Sequence, residues 1–89
     1  MADKVNVVLQ VGDDELTFEP NAVAYNKMLN EMTMTNKVAP AVNYLTRIVA
    51  ADSKAALSAL MGSNPSAALQ LAEAVNETFA PRLEITVKN

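Results

Sequence analysis

The chain has 89 residues and a formal net charge of −3, and it contains no cysteine, histidine or tryptophan. These absences exclude a disulfide framework, a thiolate zinc site and a cysteine nucleophile, and they leave no imidazole for general-base catalysis. No apolar run approaches the roughly 18 residues that a membrane span requires, and no cluster of Lys and Arg suits a nucleic-acid backbone. We therefore expect a soluble, cytoplasmic, non-enzymatic protein that uses no metal or cofactor and contacts neither nucleic acid nor membrane.

The N-terminal residues predict a β-hairpin over residues 4–19. Its first half places apolar side chains at every second position: Val5, Val7, Leu9 and Val11. This alternation is typical of a half-buried strand. Gly12 and Asp13 supply turn chemistry, because glycine accepts a positive φ. Leu16 and Phe18 then alternate with polar residues, which predicts the second strand.

Four helices are expected next, at about residues 20–32, 39–51, 53–61 and 65–80. Pro20, Pro40 and Pro65 each suit the first turn of a helix, where the missing N–H is not needed, and Pro81 stops the last helix. Either Asp52 or Ser53 is expected to cap the third helix.

The apolar residues recur at helical spacing and predict the faces that these helices bury. In the first helix the predicted face is Ala22, Tyr25, Leu29 and Met32, widened by Met28. The second and fourth faces are Ala41, Tyr44, Leu45 and Ile48, and Ala68, Leu71, Ala72, Val75 and Phe79. The third helix carries Leu57, Leu60 and Met61 and is expected to end at Gly62.

The chain closes on Leu83, Ile85 and Val87, which alternate with polar residues and predict a strand over 83–87. A lone strand leaves its N–H and C=O groups unpaired, and the hairpin is the only other sheet expected. We therefore predict one α+β domain over 1–89, in which a three-stranded sheet is covered on one face by three to four helices.

Two sequence patterns could indicate a cation site and a DNA-binding motif, but each is better explained by an ordinary structural role. Asp13–Glu15 could bind a hard cation, but no further carboxylate follows at calcium-loop spacing, and a solvated turn explains them. Residues 53–75 have the outline of a helix-turn-helix. Their second helix carries Glu73 and has no cation before Arg82, so it would repel a DNA backbone.

Short segments along nearly the whole chain carry a family resemblance. They are Thr17–Pro20, Tyr25–Asn26, Asn30–Met32, Asn36–Ala41 with Asn43, Ala67–Ala72 and Ala80–Val87. In this order and at this chain length they resemble the phage tail assembly chaperones. The motifs carry no chemistry, so the specificity of the resemblance comes from their order.

The resemblance implies a role in assembling long phage tails in the host bacterial cytoplasm. Such chaperones are thought to bind the tape measure protein, keep its hydrophobic helices soluble and help recruit tail tube subunits. A longer product arises by frameshift in many phages, and this chain looks like the shorter form. A different class of function is also open: a small structural subunit of a virion or other assembly.

The segment from Tyr25 to Asn43 is the predicted partner-binding region, and its candidate residues are Tyr25, Asn30, Met34, Asn36, Lys37 and Asn43. Methionine can fill gaps against a partner helix and asparagine can bond its rim. An equally favoured interpretation is that Asn36 caps a helix and Met34 closes the core.

Self-association is expected from the composition. The 15 alanines make a thin core, and a sheet edge is open to pairing, so a dimer or larger ring is favoured. Edge charges such as Glu84 and Lys88 favour a monomer instead.

Overall fold

The computed structural model describes residues 5–88, which form one two-stranded antiparallel sheet and four α-helices. In chain order the elements are β1 (Val7–Val11), β2 (Asp14–Phe18), α1 (Ala22–Glu31), α2 (Val38–Ile48), a 3₁₀ turn (Ala51–Ser53), α3 (Lys54–Ser63) and α4 (Ala67–Phe79). The α+β class is thus confirmed. The predicted start of the hairpin at Lys4 lies outside the described residues.

The hairpin turns through Gly12 and Asp13, because Val11 of β1 pairs with Asp14 of β2. Gly12 has a φ of +59°, a conformation that costs glycine nothing and other residues a great deal. Leu16 and Phe18 are fully buried against the helices. The alternation of the sequence therefore identified the inner face of the sheet.

The outer edge of β2 is occupied by the connection between α2 and α3. Phe18 forms a bridge with Val49, and Ala50 donates its backbone N–H to the carbonyl of Thr17 at 2.9 Å. The Oγ of Ser53 accepts the N–H of Thr17 at 2.9 Å. These contacts explain two differences from expectation: α2 ends at Ile48, and Ser53 uses its side chain on β2 and not to cap α3.

The prediction of a third strand over 83–87 is wrong. The described residues after α4 form no strand, and Leu83, Ile85 and Val87 are 72%, 77% and 82% exposed. Both edges of β2 are taken, one by Val49 and its neighbours and the other by β1, and residues 83–87 do not pair with the outer edge of β1. Alternation indicates which face a strand would bury, but it does not bring a partner edge within reach.

Helix α1 begins at Ala22, two residues later than expected. Asn21 is its cap and accepts the N–H of Ala24 on Oδ1 at 2.8 Å, so Pro20 precedes the helix. The buried residues of α1 are Ala24 and Met28, whereas Ala22 and Leu29 of the predicted stripe are exposed. The packed face is therefore rotated by about one residue from the predicted one.

The connection between α3 and α4 is organised by Asn64. Its backbone N–H bonds to the carbonyl of Leu60, which ends α3 after Gly62, and its Oδ1 accepts the N–H of Ser66 at 3.1 Å. Helix α4 therefore begins at Ala67 and not at Pro65, and Gly62 lies within α3.

The buried faces of α2 and α4 agree with the sequence pattern. In α2 the buried residues include Ala41, Tyr44, Leu45 and Ile48. In α4 they are Ala67, Ala68, Leu71, Ala72 and Val75. These two helices pack on each other and on α1, and together they form one wall of the core against the hairpin.

Candidate partner-binding surface

The connection between α1 and α2 is a tight turn that presents Met34 to solvent. Thr33 and Asn36 exchange two backbone hydrogen bonds, of 3.0 Å and 3.4 Å, so Met34 and Thr35 form the tip of the turn. Met34 is 90% exposed. Its side chain contributes nothing to the core, and the interpretation that it closes the core is wrong.

The structure also contradicts a capping role for Asn36. The residue at the cap position of α2 is Lys37, and no side chain accepts a hydrogen bond there. Five of the six predicted binding residues are exposed: Asn30, Met34, Asn36, Lys37 and Asn43. Within this segment the side chains of Met34 and Asn36 thus have no assigned folding duty.

Tyr25 differs from the other five, because it is half-buried. Its ring meets the rings of Tyr44 and Phe79 edge-on, with centroids 6.4 Å and 6.1 Å apart. This arrangement is a favourable one for aromatic pairs. Tyr25 therefore joins α1 to α2 and to the end of α4.

Two exposed apolar residues beside the turn were missed by sequence reasoning. Leu29 and Val38 are 47% and 48% exposed and lie on either side of the turn in the chain. The spacing from Tyr25 predicts that Leu29 faces the core, and this prediction is wrong. The signal that could have excluded it is the neighbouring pair Ala24 and Met28, which are four residues apart and small or flexible enough to pack closely.

We call six exposed residues of this segment the α1–α2 turn surface; they are Leu29, Asn30, Met34, Asn36, Lys37 and Val38. They comprise three large apolar side chains, two amides and one cation.

The charge around this surface is positive although the chain as a whole is negative. From α1 to α2 the charged residues are Lys27, Glu31, Lys37 and Arg47, which is three cations against one carboxylate. Arg47 Nη1 lies 3.6 Å from Glu31 Oε1, so this carboxylate is already paired. The acidic residues Asp13–Glu15 lie apart from it in sequence, at the turn of the hairpin.

The described residues offer no sign of metal chemistry or of a membrane span. No group of three or more carboxylates in residues 5–88 is arranged to hold a metal ion. Within the same range, every helix is too short or too polar to cross a bilayer.

Comparisons with known proteins agree with a role in assembly. A family model described as phage tail assembly chaperone matches residues 7–89. The chain is also 44% identical over 86 residues to an "uncharacterized 11.3 kDa protein in lys 3′ region" of Haemophilus phage HP1, covering 97% of this chain and 83% of that protein. No solved structure matches.

The chain therefore belongs to the phage tail assembly chaperone family. The resemblance noted from the sequence is confirmed, and the protein has a role in phage tail assembly.

Proposed function

We propose that the protein is a non-enzymatic chaperone, acting in the host bacterial cytoplasm, that binds the tape measure protein through its α1–α2 turn surface. The bound element is an amphipathic helix of the tape measure protein, laid with its apolar face against Leu29, Met34 and Val38. The tail tube protein is a second partner, recruited to the same assembly. Family membership supports the tail-assembly setting of this proposal.

The observation that carries the proposal is the exposure of Met34 on a turn of fixed shape. Met34 is 90% exposed, so its apolar surface is available for burial against a partner, and the paired backbone hydrogen bonds of Thr33 and Asn36 fix the shape of the turn that carries it. Because the turn is already formed, little conformational entropy is lost when a partner binds. The flexible thioether side chain adapts to varied helix faces.

The positive charge of this surface favours a partner helix that carries acidic residues. Lys27 and Lys37 are not engaged by any carboxylate within residues 5–88. A helix that carries Asp or Glu beside its apolar face would satisfy both cations. Complementary charges of this kind act mainly on association rate and specificity, and they weaken as salt is added.

The decisive experiment measures capture of the purified tape measure protein by variants of the chain. Met34→Ser removes the exposed apolar contact, and Lys37→Glu inverts the charge beside it. At an interface, loss of a contact worth about 1 kcal/mol lowers affinity roughly fivefold. The matched controls are Leu69→Ser and Lys54→Glu, which change the same properties on α4 and α3.

A stability measurement separates an interface from a folding effect. Met34→Ser should change the free energy of unfolding by less than about 0.5 kcal/mol, whereas Met28→Ala, in the core, should cost about 2–5 kcal/mol. Early melting of the Met34 and Lys37 variants, or full affinity in both, would place the binding site elsewhere. Recovery of the protein in purified virions by mass spectrometry would favour a structural subunit instead.

A further inference from the structure

We propose that residues 83–87 of one copy pair as a β-strand with the free edge of β1 in a second copy, and that the exchange is reciprocal. The exchange does not depend on tape measure binding, since it uses β1 and residues 83–87 and not the α1–α2 turn surface. It gives the C-terminal segment the strand conformation that its sequence favours.

The C-terminal segment has the properties of a strand without a partner. Leu83, Ile85 and Val87 alternate with polar residues and are at least 72% exposed. Their apolar side chains therefore lie largely in solvent.

The edge of β1 is the available acceptor for such a strand. Opposite residues of an antiparallel pair alternate between hydrogen-bonded and non-bonded pairs. Because Val11 and Asp14 flank a two-residue turn, they form a bonded pair, and the N–H and C=O of Val8 and Gln10 point outward. Neither residue has a backbone partner on that edge within residues 5–88.

The outer edge of β2 follows the same alternation of inward and outward backbone groups. Thr17 faces Val8 across the sheet, and its outward N–H and C=O are taken up by Ser53 and Ala50. Within residues 5–88, one edge is thus filled and the other is open. The residues of β1 are Val-Val-Leu-Gln-Val, with no charge, proline or bulge, which are the usual devices that protect an edge.

A groove beside β1 would receive the side chains of the added strand. It has a volume of about 250 Å³, and its apolar lining includes Leu9, Val11, Leu60, Leu71 and Ala74. A strand paired with β1 places every second side chain on the same face as Leu9 and Val11. In this arrangement Leu83, Ile85 and Val87 lie over the groove, and Glu84, Thr86 and Lys88 face solvent.

The occupant is a second copy because the chain's own segment leaves this edge uncovered. Residues 83–87 and β1 are both five residues long, so each edge accepts one complete strand. Two copies that exchange these strands cover both grooves and both apolar segments in a single two-fold arrangement. Such closed symmetric pairs are the commonest form of self-association.

Sedimentation equilibrium of the full chain over a wide concentration range tests the exchange. The wild-type chain should be dimeric, and Ile85→Lys should raise the dissociation constant at least about tenfold, the effect of losing roughly 1.4 kcal/mol of contact. Thr86→Lys adds the same charge on the other side of the segment and should leave the dimer intact. A thermal melt verifies that each variant is folded.

A second variant tests the edge. Val8→Pro removes an outward N–H and no bond of the hairpin, so it should also yield a monomer. The two monomeric variants should form a mixed dimer when combined, because one retains a working strand and the other a working edge. A folded Val8→Pro chain that dimerises as tightly as the wild type would overturn the exchange.

Three other outcomes would also overturn the proposal. A wild-type monomer with protected Ile85 and Val87 amides would show pairing within one chain. A monomer with fast exchange at both amides would show no pairing. Species that keep growing with concentration would show an open, non-reciprocal chain.

Discussion

Tyr44 Oη donates a hydrogen bond to Asn76 Oδ1 at a distance of 2.8 Å. The bond joins α2 to α4 across 32 residues of sequence, and the ring of Tyr44 is fully buried next to Tyr25. The two helices that form one wall of the core are thus tied by a polar contact as well as by packing. Tyr25 connects α1 to the same junction through its ring contacts with Tyr44 and Phe79.

Tyr44→Phe should destabilise the fold by about 1–2 kcal/mol, since a hydrogen bond is lost and Asn76 Oδ1 loses its donor. Urea unfolding monitored by circular dichroism measures the difference. The matched control is Tyr25→Phe, whose hydroxyl makes no hydrogen bond to any residue from 5 to 88. An equal loss in both variants would contradict a specific role for the bond.

Stability should decline at alkaline pH because of Tyr44. Burial, with a smaller contribution from the nearby Tyr25, raises the pKa of Tyr44 from 10.0 to about 12. Between these values the unfolded phenol loses its proton while the folded one keeps it, so rising pH favours unfolding. The stabilisation is complete below pH 10 and is lost toward pH 12. Titration of phenolate absorbance in Tyr25→Phe, which leaves Tyr44 as the single tyrosine, measures this pKa directly; a midpoint near 10 would refute the shift.

Ser53→Ala should cost about 1–3 kcal/mol, because the N–H of Thr17 would lose its acceptor in a buried position. Ser58→Ala on the exposed side of α3 serves as the control and should change stability by less than about 0.5 kcal/mol. Amide exchange at Thr17 provides a second readout. Unchanged protection there would mean that the Oγ of Ser53 does not hold β2.

The two glycines should respond in opposite directions to alanine. Gly12→Ala should destabilise the hairpin by about 1–2 kcal/mol, because φ at this position is +59°. Gly62→Ala should stabilise α3 by about 0.5–1 kcal/mol, since the added methyl meets no atom within 4 Å. Thermal unfolding of the two variants in one buffer compares them, and a shift of the same sign in both would refute the argument.

The sequence predicted those elements whose pattern depends on local geometry. The hairpin follows from alternation and from Gly12, and the buried faces of α2 and α4 follow from helical spacing. The rotation of α1 was not predictable in the same way, because Met28 and Leu29 are adjacent and either could face the core. Packing against α2 and α4 decides between them.

The candidate surface was predicted only in part, and its role in binding remains a proposal. Exposure of Met34 could be expected from its position beyond the apolar stripe of α1. The positions of Leu29 and Val38 could not, since their exposure depends on how α1 and α2 cross. The C-terminal segment was mispredicted for a similar reason. Its residues do alternate between apolar and polar, but a strand forms only where the edge of another strand is available for pairing.

The hydrogen bonds that Thr17 donates to Ser53 and accepts from Ala50 also bear on how the molecule should unfold. A hairpin of two strands is only marginally stable in water by itself, and here its second strand is held by the segment that connects α2 to α3. We therefore expect the sheet and the helices to unfold together, since loss of the helices removes the contacts that keep β2 in place. Residues 5–20 excised from the chain should have no stable structure of their own.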